Sequence, residues 1–112
     1  MAGQGVLEFT DENFDREVIQ SNVPVVVDFW AEWCMPCRML GPTIDDLAKD
    51  YTGRVKVGKL DTEANRDTAI RFGINAIPTV MIFQAGQLVR TFQGLRHKRD
   101  FVAELDKLAP KS

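Results

Sequence analysis

The sequence predicts an α/β fold in which a central mixed β-sheet, with parallel and antiparallel strands, carries helices on both faces. Three patterns predict it: two alternating pairs of strand and helix, a hairpin signal after them, and a last segment with helical apolar spacing. With 112 residues, 45% of them apolar and 27% charged, the chain suits one domain with a packed core. We therefore expect residues 1–112 to form a single domain in which residues 1–5 are flexible.

The first predicted elements are a helix and a buried strand. A helix should begin at Thr10, because acidic residues follow it and Phe14 and Val18 lie at helical spacing. Residues 23–29 are rich in β-branched residues and indicate a strand buried on both faces, as in a mainly parallel sheet. Asp28, near the end of this run, is unusual in so apolar a strand.

A second strand and two helices should follow. Apolar residues at positions 40, 44 and 47 predict a helix from Cys34 to about Lys49. Residues 55–60 then predict a short strand. Residues 61–72 predict a further helix, closed by Gly73 at a position suited to a left-handed cap.

The last third of the chain predicts a hairpin and a helix. Residues 80–83 and 88–92 are strand-like and are separated by a turn at Ala85 and Gly86, which indicates antiparallel pairing. Apolar residues at positions 101, 105 and 108 predict the final helix, which should end before Pro110.

The charge distribution argues against nucleic-acid partners. The net charge is −2 and the pI is near 5.3, with basic residues scattered along the chain. The one basic run, residues 96–99, precedes an apolar-periodic segment, so we interpret it as a solvated turn and helix start. No stretch resembles an export signal or a membrane span, and we expect a cytoplasmic monomer without a membrane partner. A processed precursor would leave the same mature sequence.

The only two cysteines, Cys34 and Cys37, are three positions apart at a predicted helix start. As a structural staple, a disulfide enclosing four residues would contribute only about 2 kcal/mol. A structural zinc site needs four ligands, and His97 is the only histidine that could join the two thiols. This spacing beside a strand–helix–strand pattern favours redox exchange over both alternatives.

The position of each cysteine predicts its role. Unpaired N–H groups and the helix dipole at a helix N-terminus favour the thiolate, so Cys34 should be the exposed attacking nucleophile. Cys37, one turn further and facing the protein body, should resolve the mixed disulfide. No bound cofactor is needed, because the Cys34–Cys37 pair itself stores the electrons.

In several motifs the chain resembles the thioredoxin family, and the resemblance extends over nearly the whole sequence. The matching pieces, in chain order, are residues 27–31 (Val-Asp-Phe-Trp-Ala), Trp33-Cys34, Pro36-Cys37, Pro42, 59–61 (Lys-Leu-Asp), 72–74 (Phe-Gly-Ile), 77–79 (Ile-Pro-Thr), Phe83 with Gly86, and Gly94. The resemblance implies the thioredoxin fold. It also implies a general protein-disulfide reductase and electron carrier that is recharged by a thioredoxin reductase.

The same resemblance implies roles for two charged residues. Asp28 would be a buried carboxylate that exchanges a proton with Cys37, and burial should raise its pKa. The alternative is an aspartate at a solvated strand end. Lys59 matches the family's lysine near this carboxylate, which tunes it; a plain surface lysine is the alternative.

The resemblance further implies a docking surface for target proteins. Pro78 matches the family's cis-proline facing the disulfide. Trp33, Ala76, Ile77 and Gly94 would form a flat apolar patch, on which the backbone of an extended target segment pairs with Ile77. In the alternative interpretation, Trp33 and Ile77 are core residues.

The chain departs from the family pattern at the centre of the motif. The usual sequence is Trp-Cys-Gly-Pro-Cys, and here Met35 replaces the glycine while Pro36 is retained. We hypothesise that Met35 changes the redox potential and the target preference but preserves the reaction. Ala76 replaces a glycine or serine, and Gln93 a small apolar residue, so the patch should differ slightly.

Two other functions compete with that of an electron carrier. A docking subunit or holdase would use the same patch without turnover. A dithiol oxidase or isomerase would use the same cysteines, but that role usually requires an oxidising compartment, against which the missing export signal argues.

Overall fold

The computed structural model describes residues 5–110. Of residues 1–5, which were expected to be flexible, only Gly5 therefore lies within the described residues. The elements are β1 (Leu7–Glu8), a π-helical segment (Asp15–Ile19), β2 (Val25–Trp30), α1 (Met35–Asp50), β3 (Lys56–Asp61), α2 (Arg66–Arg71), β4 (Thr79–Gln84), β5 (Gln87–Gln93) and α3 (Lys98–Leu108).

The five strands of the described chain form one mixed sheet in the order β1-β3-β2-β4-β5. β1, β3 and β2 run parallel, whereas β4 pairs antiparallel with both β2 and β5. On one face, the apolar side of α1 and α3 packs against alternate residues of β2, β3 and β4. On the other face, the π-helical segment and the chain after α2 cover a cluster rich in phenylalanine. The predicted mixed sheet with helices on both faces is confirmed.

The N-terminal region differs from the prediction in two ways. The two-residue strand β1, which pairs with β3 through Leu7 and Glu8, was not predicted because it is too short to show alternation. Thr10 does start a helical turn, since its N–H donates to Asn13 Oδ1 at 2.8 Å and the Asn13 N–H donates to Thr10 Oγ1 at 3.1 Å. The helical element that follows nevertheless spans only Asp15–Ile19 and is π-helical.

The predicted start of α2 was wrong. Asp61 is the last residue of β3, and the helix begins five positions later, at Arg66. The Asp61 carboxylate accepts a hydrogen bond from the Glu63 N–H at 2.9 Å, which stabilises a turn instead of a helix. Thr62 is held to β2 because its N–H and hydroxyl donate to the Trp30 carbonyl oxygen. Gly73 closes the segment with a φ of 64°, as expected.

The remaining elements follow the prediction closely. In the β4–β5 hairpin, Ala85 and Gly86 both have positive φ, at 52° and 79°, which is the geometry of a type I′ turn. α3 begins at Lys98, so the basic run at 96–99 forms the turn before the helix and its first residues. The interpretation as a solvated helix start is thus confirmed.

Gly58, in β3, occupies the most crowded glycine position of the sheet. A Cβ built there would lie 2.5 Å from Phe9 Cε2 and 2.8 Å from the Leu7 carbonyl oxygen. We expect Gly58→Ala to lower the free energy of unfolding by about 1 to 3 kcal/mol, the usual cost of overpacking.

Gly41→Ala is the matched control for this prediction. Gly41 lies inside α1, and the nearest atom to an added Cβ is Lys59 Nζ at 3.9 Å. Alanine should therefore raise the free energy of unfolding by about 0.5 to 1 kcal/mol through its better helix propensity. Urea denaturation of both variants measures the difference, and equal stabilities would contradict the steric argument.

Candidate active site

The cysteine pair lies where β2 ends and α1 begins. Cys34 is the N-cap of α1: its backbone is extended, with φ −91° and ψ 107°, and its carbonyl oxygen accepts the Arg38 N–H at 3.2 Å. The Cys34 N–H donates to the Ala31 carbonyl oxygen at 3.1 Å, which fixes the short connection from the strand. Pro36 stands in the first helical turn, where its missing N–H removes no helical hydrogen bond.

The two cysteines are joined in a disulfide, with their Cα atoms 5.3 Å apart. The Cys37 N–H points at Cys34 Sγ, 3.3 Å away, and the Ile77 carbonyl oxygen lies 3.8 Å from the same sulfur. In the dithiol form the N–H and the helix dipole would stabilise negative charge on Cys34, so its position favours a thiolate.

The exposure of Cys34 is lower than expected. In this disulfide form Cys34 is 4% exposed and Cys37 is 0% exposed. The expectation of an exposed Cys34 was therefore wrong, because Cys34 packs with Ala31 and Cys37 beneath Trp30 and Ile77. Cys34 is still the more exposed of the two cysteines, as expected, since Cys37 has no contact with solvent.

Asp28 is fully buried in the middle of β2. It alternates with Val26 and so faces α1, the helix that carries Cys37. Neither of its carboxylate oxygens has a hydrogen-bond partner among residues 5–110. Burial raises the pKa of Asp28 to about 7, while the positive charge of Lys59 opposes that shift. The alternative of a solvated strand end is excluded by this burial.

Lys59 is the direct neighbour of Asp28 across the parallel β2–β3 ladder. Its ammonium group lies 4.7 Å from the centre of the Trp30 ring, in a cation–π contact. The side chain is half-buried and also borders a cleft of about 390 Å³. The other lining residues of this cleft are Trp30, Glu32, Arg38, Gly41, Pro42 and Asp45. Lys59 therefore lines this polar cleft and also acts electrostatically on the pKa of the buried Asp28 carboxylate.

The residues of the expected docking patch differ in exposure. Trp33 is 70% exposed, so its interpretation as a core residue is excluded. Ala76 is exposed, Ile77 half-buried and Pro78 buried, and the Ile77–Pro78 bond is cis. Gly94 donates its N–H to the Pro78 carbonyl oxygen at 2.8 Å and has a φ of 84°, which explains why glycine stands there.

A cleft of about 510 Å³ lies beside Trp33, on the side of α2. Its lining residues are Trp33, Thr62, Glu63, Arg66, Ala69, Ile70, Ile74, Asn75, Ala76 and Ile77. Trp33 and Ile77, on one side of this cleft, were predicted as docking residues, whereas the α2 residues on the other side were not. An available signal was Ile70, an apolar residue in a polar helix, which is 76% exposed.

The α2 wall is held by a residue distant in sequence. Asp11 accepts hydrogen bonds from the Thr68 N–H at 2.9 Å, the Thr68 hydroxyl at 2.7 Å and the Asp67 N–H at 3.3 Å. Desolvation raises the pKa of Asp11, but these hydrogen bonds outweigh it and leave the pKa below its ordinary value. The carboxylate therefore caps α2 and fixes the helix beside the cleft.

Residues 5–110 contain neither a candidate metal centre nor a membrane-spanning helix. Within residues 5–110, no group of three or more histidine, cysteine or acidic side chains is placed to hold a metal ion. Within the same range, no helix is long and apolar enough to cross a membrane.

Comparison with known proteins assigns the chain to a family. The family model described as Thioredoxin matches residues 5–107. The chain belongs to the thioredoxin family. Thioredoxin 1 of Synechococcus elongatus is 48% identical over 98 residues, which cover 88% of this chain and 92% of that protein. The thioredoxins of Pyropia yezoensis and Pseudomonas aeruginosa are 46% and 42% identical, over 91% and 90% of this chain and 95% and 94% of theirs.

Membership of the family identifies the reaction. The chain is a protein-disulfide oxidoreductase that acts on protein disulfides, and its redox centre is the Cys34–Cys37 disulfide. Thioredoxins carry no further cofactor, in agreement with electron storage in the cysteine pair. The predicted family and fold are confirmed.

Proposed function

We propose that the chain is a general protein-disulfide reductase and electron carrier, and that a thioredoxin reductase restores its dithiol form. The observation that carries this proposal is the disulfide across the first turn of α1, with the more accessible sulfur next to the exposed Trp33. Although both cysteines are nearly buried, Cys34 retains 4% exposure next to Trp33, where another chain can approach it.

In the first step, the Cys34 thiolate attacks one sulfur of the target disulfide. A bond forms between Cys34 and that sulfur, and the other target sulfur leaves as a thiolate. The helix N-terminus and the Cys37 N–H stabilise the negative charge on Cys34 before the attack.

In the second step, Cys37 loses its proton and attacks the Cys34 sulfur, which releases the reduced target. Asp28 is proposed as the proton acceptor, because it is buried on the sheet face under α1 and its pKa of about 7 suits proton exchange near neutral pH. Lys59 tunes this carboxylate by limiting the rise in its pKa.

Docking is assigned to the surface around Cys34. Trp33, Ala76 and Ile77 would contact the target, with Pro78 and Gly94 shaping the surface beneath it. The half-buried Ile77 stands between the cleft and the cysteine, so an extended target segment can pair with its backbone.

Insulin reduction tests the proposal most simply. The dithiol-charged protein should break insulin disulfides catalytically when an NADPH- or ferredoxin-linked thioredoxin reductase supplies electrons. A protein that binds reduced and oxidised insulin without turnover would instead be a docking subunit. Refolding of scrambled ribonuclease faster than insulin reduction would favour an isomerase.

Met35 should affect the redox equilibrium. Glycine would give the reduced loop more conformational freedom to lose when the disulfide closes, so Met35→Gly should disfavour the disulfide by about two- to fivefold, or about 10 to 20 mV. Equilibration with glutathione measures the shift. Met39→Ala, one turn further along α1, is the control and should leave the equilibrium unchanged; identical potentials and target rates for wild type and Met35→Gly would show that Met35 is neutral.

The setting of the reaction is also part of the proposal. We infer one domain, a monomer without nucleic-acid or membrane partners, and a cytoplasmic location, where the reducing environment would keep the pair ready to donate electrons. The net charge of −2 fits the absence of nucleic-acid binding. Sedimentation of the purified protein and fractionation of the cells that make it test these points.

A further inference from the structure

Two methionines stand on one exposed face at the start of α1. Met35 is 61% exposed and Met39 is 59% exposed, and a separation of four residues places them on the same side of the helix. Met81, in β4, is 4% exposed. The described chain thus contains two accessible methionines of nearly equal exposure, one of which lies between the two cysteines.

The thioether of Met35 can react with a hydroperoxide. One peroxide oxygen is transferred to the sulfur, the O–O bond breaks, and the products are methionine sulfoxide and an alcohol or, from hydrogen peroxide, water. Sulfur is oxidised by two electrons and the peroxide is reduced by two. In the disulfide form neither cysteine carries a thiol, so Met35 is the oxidisable sulfur next to the redox centre.

We propose that Met35 is a hydroperoxide-oxidation site whose sulfoxide weakens the docking of protein targets at Cys34. The proposal rests on the docking surface inferred above. A target that reaches the nearly buried Cys34 sulfur must cover the residues that flank it, and Met35 follows Cys34 directly. Covering a sulfoxide removes water from a strongly polar oxygen, whereas covering a thioether is favourable.

Met39 provides a control within the molecule. Its exposure predicts the same rate of oxidation, but it lies about 6 Å further along the helix axis from Cys34 than Met35 does. Oxidation at Met39 should therefore have little effect on docking. The exposure of a methionine determines whether peroxide oxidises it. Its distance from Cys34 determines whether that oxidation weakens docking.

The experiment begins with the disulfide form of the full chain, treated with hydrogen peroxide. Trypsin should place Met35, Met39 and Met81 in separate peptides, spanning residues 17–38, 39–49 and 72–90, so their oxidation is measured independently by mass. Sulfoxide is expected at Met35 and Met39 but not at Met81. After peroxide is removed, dithiothreitol restores the dithiol, and kcat/KM is measured on insulin and on a small aromatic disulfide.

Treated wild type should lose about fivefold in kcat/KM on insulin, which corresponds to about 1 kcal/mol, and nothing on the small disulfide. Each variant is compared with its own untreated sample. Met35→Leu should retain its insulin activity after peroxide, and Met39→Leu should lose as much as wild type. Methionine sulfoxide reductases A and B together should restore the treated wild type.

Several results would overturn the proposal. These are an unoxidised Met35 in a sample whose Met39 is oxidised, an unchanged insulin rate with Met35 fully oxidised, or equal losses in Met35→Leu and wild type. An equal loss on the small disulfide would place the effect in the chemistry and would also overturn docking as its cause. If the untreated protein fails to reduce insulin, the proposed function fails instead, so the two failures are distinguishable.

Discussion

Cys34→Ser should abolish insulin reduction, with a loss of at least about a thousandfold in rate. The serine hydroxyl is ionised far less readily at neutral pH and cannot form the mixed disulfide, so the first bond of the reaction is never made. Since the substitution exchanges a sulfur for an oxygen at a nearly buried N-cap, a position that serine also favours, the fold should persist. Turbidity of insulin in dithiothreitol measures the rate.

Cys37→Ser is the matched variant for this prediction. It keeps the nucleophile but removes the resolving thiol, so a covalent complex with the target should accumulate and be visible on a non-reducing gel. Cys34→Ser should form no such complex. A protein whose activity survived Cys34→Ser would be a binder, and the exchange mechanism would be wrong.

Asp28→Asn should change how stability depends on pH. Burial raises the pKa of Asp28 to about 7, from an ordinary value of 3.8. Between these pH values the folded state holds a proton that the unfolded state has lost, so the free energy of unfolding falls as pH rises through this window and levels off above it. At pH 8 the buried charge should cost the wild type about 4 kcal/mol, which the variant does not lose.

Urea denaturation of the disulfide forms between pH 4 and pH 8 tests this prediction. The variant should lack the decline attributed to Asp28. The quantity compared is the slope of the free energy of unfolding against pH, because the buried amide of the variant has its own desolvation cost at every pH. Asp46→Asn, at an exposed position of α1, is the control and should keep the wild-type slope. If the free energy of unfolding had the same pH dependence in wild type and Asp28→Asn, the Asp28 carboxyl would not titrate in this range.

A kinetic measurement separates the proton-transfer role of Asp28 from its effect on stability. If Asp28 accepts the Cys37 proton, the variant should form the mixed disulfide at the wild-type rate and resolve it more slowly. Rapid acid quenching, followed by quantification of the mixed disulfide, distinguishes the two steps.

Local sequence patterns predicted most of the fold. β2, α1, the hairpin and α3 each have enough residues for their apolar spacing to identify them. The errors lie where contacts between distant residues decide the structure. β1 exists because β3 offers it a partner, and α2 begins late because Asp61 and Thr62 are held by the turn and by β2.

The candidate site was predicted unevenly for a related reason. Cys34 and Cys37 are visible in four consecutive residues, whereas the roles of Asp28 and Lys59 came from resemblance to the thioredoxin family. The α2 wall of the Trp33 cleft depends on Asp11 capping a helix 57 residues away. The burial of Cys34 depends on packing against Trp30 and Ile77, which sequence spacing does not encode.

The most direct test of the central claim is a stoichiometric exchange with thiol counting. The fully reduced chain is mixed with one equivalent of insulin disulfide, quenched in acid, alkylated and weighed by mass spectrometry. Each insulin disulfide lost should be matched by one chain in which neither Cys34 nor Cys37 takes up the alkylating agent. Broken insulin disulfides alongside chains that still carry two alkylated cysteines would contradict it.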